Sequence, residues 1–260
     1  MPFEDDLQLA LELADVADAL SMASFRSGSL RVDTKPDMTL VTEADRAVET
    51  VLRERIAAAR PADATMGEEF GRSGGSASRC WYLDPIDGTS NYARGVPVFA
   101  TLIALAVDGA SIVGVCSAPA LRARWYAARG LGAFEHGRPI RVSGVRGIAD
   151  AHLSYDDVRG FEKAGRGEQF VELTRRCWRS RGFGDFWSHV MVAEGAVDVA
   201  VEPEVNPWDL APLQVIVEEA GGRFTDLGGA ARFDGGSAVS SNGLLHEAVL
   251  DALRTAETAE

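Results

Sequence analysis

Apolar positions near the start of the chain recur at helical spacing. Leu7, Leu11, Ala14, Val16, Ala17 and Leu20 predict an amphipathic helix over about residues 4–25. Ser27 to Thr39 is polar, contains Gly and Pro, and reads as a loop. Thr42-Glu43-Ala44-Asp45 has the form of a helix N-terminal cap, and Val48, Val51, Leu52 and Ile56 carry a second helix towards Arg60. Ala64-Thr65-Met66 reads as a short strand, and Gly71 to Ser78 as a mobile Gly/Ser-rich connection.

The pattern then changes to strands. Cys80-Trp81-Tyr82-Leu83 leads into Asp84, and Val98–Val107 and Ser111–Ser117 flank Asp108-Gly109, a hairpin signal. Ala123–Ala128 and Gly132–Glu135 continue the meander, and glycines thicken towards residue 150. Beyond it, strand Ala151–Ser154 precedes helix Glu168–Trp178, helix Trp187–Glu194 and strand Ala196–Val201. Helix Asp209–Ala220, strands near Arg223–Thr225 and Ala238–Ser240, and a last helix Gly243–Ala256 follow. This segregation predicts an α+β fold, with halves 1–150 and 151–260 in one compact unit.

The chain has 260 residues, 26 Lys+Arg against 39 Asp+Glu, and a net charge of −13. Such a balance disfavours nucleic acid and anionic membranes, both of which require cations on the protein. No apolar run is long enough for a bilayer, the first residues are acidic, and three cysteines lack CxxC spacing. A cytoplasmic protein with reduced thiols is expected. The four histidines show no metal-ligand spacing and carry no assignment.

The chemistry concentrates in Trp81-Tyr82-Leu83-Asp84-Pro85-Ile86-Asp87-Gly88-Thr89. A strand ends in an acid, a proline turns the chain, and a second acid follows three residues on. Two carboxylates and the Ile86 carbonyl can then face one point, as hard Mg²⁺ requires, while Gly88 and Thr89 offer amides to a phosphate. Gly67-Glu68-Glu69 and Trp208-Asp209 add acids; Asp209 reads by default as an N-cap that can also bind metal.

Asp84-Pro85-Ile86-Asp87-Gly88-Thr89 with Trp208-Asp209…Ala220-Gly221-Gly222 resembles the paired signature of the inositol monophosphatase family. Gly67-Glu68-Glu69 and Val41-Thr42-Glu43-Ala44-Asp45 match two further family motifs, in order, over nearly the whole chain. Pro212 departs from the pattern, at a place expected to be a first helical turn that tolerates it.

The resemblance implies an αβαβα layered sandwich, usually a homodimer, hydrolysing a small phosphomonoester with two or three Mg²⁺ ions. Glu68, Asp84 and the Ile86 carbonyl would hold the first ion. Asp84, Asp87 and Asp209 would hold the second, and Asp45 with Glu68 a third. Thr89, with Glu68 or Asp45, would orient the attacking water.

Arg179 to Trp187, with its Gly184-Asp185-Phe186-Trp187 string, resembles the histidinol-phosphatase branch of that family. Asp185 and Glu202 can accept hydrogen bonds from a cationic leaving group, and Arg94 can reach substrate or a second subunit. Asp185 as a helix N-cap and Arg94 as a solvated surface residue remain the competing readings. The expected reaction is release of phosphate from L-histidinol phosphate in histidine biosynthesis. Inositol 1-phosphatase or a broad-specificity phosphatase, and a non-catalytic metal- or phosphate-binding protein, are the alternatives.

Overall fold

The computed structural model describes residues 3–27, 31–34 and 40–254. The first half contains α1 (Glu4–Ser24), the ribbon β1 (Val32–Thr34) and β2 (Leu40–Thr42), and α2 (Glu43–Ala59). There follow β3 (Asp63–Gly67), β4 (Gly71–Gly74), β5 (Ser76–Asp87), α3 (Thr89–Ala93), β6 (Ala100–Val107), β7 (Ala110–Ala118), β8 (Ala123–Ala128), β9 (Gly132–Glu135) and β10 (Arg138–Pro139). The second half contains β11 (His152–Tyr155), α4 (Val158–Lys163), α5 (Gly167–Arg176), β12 (Arg179–Gly182), α6 (Asp185–Glu194) and β13 (Val199–Glu202). It ends with α7 (Pro207–Glu219), β14 (Arg223–Thr225), β15 (Ala238–Ser241) and α8 (His246–Leu253).

An eight-stranded sheet runs β10-β9-β8-β7-β6-β5-β3-β4, and a five-stranded sheet runs β12-β11-β13-β15-β14. Residue 150 falls between them. Strand alternation assigns the two faces of the large sheet. Ile103 and Leu105 of β6 pack with Leu13 and Ala17 of α1 and Val48 and Leu52 of α2. Leu102 and Ala104 turn the other way, onto Val190 of α6 and Leu213, Ile216 and Val217 of α7. Ala200, Phe224 and Ala238 of the small sheet close that same core from the opposite side. The small sheet's far face, with Leu153, Val199, Val201 and Val239, receives Phe161 of α4, Phe170 of α5 and Val249 of α8. These cores separate five layers, αβαβα.

Several expectations change. Gly71–Ser78 is not a loop: it forms edge strand β4, antiparallel to β3, and the start of β5. Part of the Ser27–Thr39 loop is strand β1; residues 28–30 and 35–39 lie outside the described part. Helix 168–178 ends at Arg176, because Arg179–Gly182 pairs in parallel with β11. The short helix α4 has no counterpart in the sequence pattern. Pro212 lies in the second turn of α7, not the first, since that helix starts at Pro207. β7 runs very close there: a Cβ on Gly114 would lie 2.4 Å from the Pro212 carbonyl oxygen. Asp108-Gly109 makes the expected hairpin, with φ of 50° and 80°.

His246, fully buried, bridges Thr225 Oγ1 and Ser241 Oγ at 2.9 Å each. Burial, then repulsion from Arg223, lowers its pKa to about 4. Between that value and about 6.5 the unfolded chain therefore binds the extra proton. The contribution is complete above the unfolded pKa and is lost as pH falls towards 4, up to about 3 kcal/mol. Urea unfolding of wild type and His246→Gln at about pH 7 and about pH 5 should show a smaller acid-side loss in the variant. Equal losses would contradict this assignment.

Candidate active site

β5 delivers the first two acids. Its pairing with β6 shifts register between Asp84, opposite Leu102, and Asp87, opposite Ala100. Three steps on one strand thus face two on the other, a bulge centred on Pro85-Ile86. The strand does not end at Asp84, as the sequence suggested; the bulge re-aims the side chains within a continuing strand. Proline fits because a bulge needs no ladder donor there. The Pro85 carbonyl accepts from Thr101 Oγ1 at 2.8 Å, and Asp84 Oδ1 accepts from the Ile86 amide at 2.9 Å.

α7 supplies the third acid. Its N-cap is Asn206, so Asp209 is at N3 and is not the N-cap. Asp209 Oδ2 accepts from the Asn206 amide at 2.9 Å, a capping-box bond. One ligand oxygen each from Asp84, Asp87 and Asp209 lie within 4.8 Å of one another. Asp87 also caps α6 from another element, because its Oδ2 accepts from the Phe186 amide at 2.7 Å.

Glu68 sits in the turn between β3 and β4. Buried Glu49 of α2 accepts from the Glu69 and Phe70 amides at 2.7 and 3.3 Å and takes Arg53 Nε at 2.6 Å. Gly67 is required by this approach, since a Cβ would lie 2.2 Å from Glu49 Oε1. Glu49 is a site residue that sequence reasoning missed; its only signal is a position one helical turn after Asp45.

Asp45 is fully buried and completes the predicted cap. Thr42 Oγ1 and the Thr42 amide donate to its Oδ2 at 2.5 and 2.8 Å. Its Oδ1 lies 3.4 Å from Thr89 Oγ1, which also reaches the Ile86 carbonyl at 3.0 Å. Gly88, with φ of 81°, starts α3; a Cβ there would press on the Val98 carbonyl at 3.0 Å and Asp185 Oδ2 at 3.3 Å. The first-turn amides of α3, before the Tyr92 amide bonds the Gly88 carbonyl, have no intrahelical acceptor.

Glu68, Asp84, Asp87, Gly88, Thr89, Asp185 and Asp209 line one cavity of about 760 Å³, together with Asp156, Asp157 and Arg159. Sequence reasoning also missed Asp156 and Asp157, just after β11. Asp185 does not cap its own helix; Gly184 precedes it as N-cap. It is held at φ 48°, a region costly for a side-chain-bearing residue, and its Oδ2 accepts from Asn91 Nδ2 at 3.2 Å. Glu202 is behind the wall, 3.2 Å from His189 Nε2. Arg94 is exposed at the end of α3 and does not line the cavity.

Among the described lining residues, seven carboxylates against one arginine set the electrostatics. Burial and then mutual repulsion raise Asp84 and Asp87 well above the carboxylate range. Asp209 and Asp185 rise to about 7, and Asp45 and Asp156 to about 6, burial being the largest cause in each. Clustered carboxylate and carbonyl oxygens suit a hard divalent cation, whose charge offsets this repulsion.

A profile of the inositol monophosphatase family matches residues 4–258. The chain is 54% identical to a histidinol-phosphatase of Mycobacterium tuberculosis, over 96% of this chain and 98% of that one. It is 50% identical to a histidinol-phosphatase of Streptomyces coelicolor, over 95% and 96%. A solved inositol monophosphatase from Zymomonas mobilis superposes with a TM-score of 0.87 at 32% identity, covering 97% of this chain and 99% of that one. With the acid cluster, the bulged Asp84–Asp87 segment and the five layers, these likenesses show that the chain belongs to the inositol monophosphatase family.

Proposed function

We propose that this phosphoric monoester hydrolase acts on L-histidinol phosphate, with two or three Mg²⁺ ions, in histidine biosynthesis. The observation that carries the reading is the cavity wall. Beside the Asp84, Asp87 and Asp209 cluster it presents Asp156, Asp157 and Asp185, with Arg159 the one cation among the described lining residues. Acids suit a leaving group carrying an ammonium and a protonatable imidazole, and charge-assisted hydrogen bonds are the stronger kind. The two histidinol-phosphatases support the same substrate.

In this reading Glu68, Asp84, Asp87 and Asp209, with the Ile86 carbonyl, hold the ions, and Asp45 with Glu68 helps to hold a third. Bound Mg²⁺ supplies charge neutralisation at the phosphoryl group and a lowered pKa for the attacking water. The Gly88 and Thr89 amides orient phosphate oxygens. Thr89 Oγ1, between the Ile86 carbonyl and Asp45 Oδ1, orients the attacking water and passes its proton towards Asp45. Asp185 receives the cationic leaving group, and Glu202 adds negative charge from behind the cavity wall. A cytoplasmic homodimer belongs to the same proposal, supported by the family resemblance and by three free cysteines.

Asp185→Asn should separate substrates. It keeps the Asn91 contact but removes one charge. Losing a charge-assisted bond of about 1.5–3 kcal/mol predicts a roughly 10- to 100-fold fall in kcat/KM for L-histidinol phosphate. The fall for inositol 1-phosphate should be far smaller. Equal losses on both esters would sink the pocket assignment.

A further inference from the structure

Asp45, Glu49 and Arg53 recur at four-residue intervals on α2, so they share one side of that helix. Val48, Leu52 and Ile56 fix the helix in the core. Asp45 is 3.4 Å from Thr89 Oγ1. One and two turns further on, Glu49 and Arg53 meet another part of the site, the turn between β3 and β4 that carries Glu68.

That turn is held from two sides. The Glu68 amide donates to the Leu83 carbonyl of β5 at 3.2 Å, next to Asp84. On the other side, Glu49 Oε2 accepts from the Glu69 amide at 2.7 Å, and Oε1 from the Phe70 amide at 3.3 Å. The Glu49 carboxylate lies against Gly67, where a Cβ would be 2.2 and 2.9 Å from its two oxygens. Arg53 completes the cradle. Its Nε donates to Glu49 Oε1 at 2.6 Å, its Nη1 to Ser73 Oγ at 2.6 Å, and its Nη2 to the Gly71 carbonyl. One ion pair thus grips the turn and the strand that leaves it.

Such a pair is costly to bury: the Glu49 side chain is 0% exposed and that of Arg53 13%. The turn does not need it for satisfaction, because Phe70, Arg72 and Ser73 are exposed and water would serve amides there. What a buried ion pair adds over water is a fixed orientation. The residue so fixed is Glu68, which lines the cavity and, after burial, adds to the repulsion on Asp84, Asp209 and Asp45.

We propose that Glu49, braced by Arg53, is a positioning residue for Glu68: it sets the Gly67–Phe70 turn so that the Glu68 carboxylate meets the other acids at the cation, and thereby sets the affinity for Mg²⁺. This rests on the reading of Glu68 as a metal ligand. Outer groups that orient a metal ligand are typically worth about 10- to 100-fold in metal affinity.

The test is titration calorimetry of Mg²⁺ into the full-length, EDTA-treated protein, with circular dichroism to confirm the fold of each variant. Glu49→Gln should raise the Mg²⁺ dissociation constant about 10- to 100-fold. Excess Mg²⁺ should then restore most of the phosphate release lost at low Mg²⁺. Arg53→Met should raise the constant several-fold. Loss of a cation would by charge alone tighten Mg²⁺, so the direction separates positioning from charge. Glu68→Gln should weaken Mg²⁺ strongly, and Glu49→Gln/Glu68→Gln should be little worse than Glu68→Gln alone. An unchanged constant in Glu68→Gln would overturn the ligand reading and, with it, the proposal. A loss in Glu68→Gln with an unchanged constant in Glu49→Gln, or tighter Mg²⁺ in Arg53→Met, would overturn the positioning role alone. So would full additivity in the double variant, the mark of a charge acting through space. If Glu49→Gln does not fold, the direction of the change in Arg53→Met decides.

Discussion

Asp84→Asn is expected to cut phosphate release by about 10³-fold or more, while making the metal-free protein more stable. The two effects have one cause. Asp84 is 2% exposed and faces Glu68, Asp87, Asp209 and Asp45, all acidic, so its charge is held against burial and repulsion together. An amide retains the oxygen that accepts from the Ile86 amide, so the bulge keeps its local bond. Removing one like charge from such a cluster is worth about 1–2 kcal/mol. Removing a ligand oxygen loses several kcal/mol of transition-state charge stabilisation. Urea unfolding in EDTA and phosphate release in Mg²⁺ measure the two sides. Mg²⁺ should also raise the Tm of the wild type more than that of the variant, since only a bound ion shifts the folding equilibrium. A variant with full turnover, or one less stable in EDTA, would contradict the metal cluster.

Thr89→Val is expected to lower kcat by about 10²- to 10⁴-fold with little change in KM. The methyl replacement keeps the shape of the first residue of α3 and leaves its backbone amide in place. What it removes is the hydroxyl between the Ile86 carbonyl and Asp45 Oδ1. Phosphate binding should therefore survive and proton transfer should not. Asp45→Asn should give a similar kcat loss, and the double variant should be barely worse than either, because the pair acts as a unit. A Thr89→Val enzyme with ordinary kcat would place the proton acceptor elsewhere.

The strand meander and the long helices are legible in the sequence because each carries one clean period. β6 alternates inward and outward between two cores, and Asp108-Gly109 marks its turn. The acids Asp84, Asp87 and Asp209 are legible as a motif, but the geometry joining them is not. A bulge leaves no trace in hydrophobic pattern, and the α7 cap lies at Asn206, three residues before Asp209, because Pro207 suits the first helical position. β4 and the first residues of β5 escape notice because Gly and Ser carry no apolar signal; their place is set by pairing with β3. β12 is a four-residue edge strand rich in Arg, which reads as loop. Glu49 and Asp156 share another difficulty. Each acts across elements distant in sequence, and apart from the one-turn offset of Glu49 from Asp45 no local spacing announces it.

The proposed hydrolysis of a cationic phosphate ester in this acidic cavity, by means of a divalent ion, has one most direct test. It is phosphate release from L-histidinol phosphate and inositol 1-phosphate, side by side, with Mg²⁺ and after EDTA treatment. The expected result is a strong preference for L-histidinol phosphate that vanishes in EDTA and returns with Mg²⁺. Appreciable turnover without metal, or a preference for inositol 1-phosphate, would contradict it.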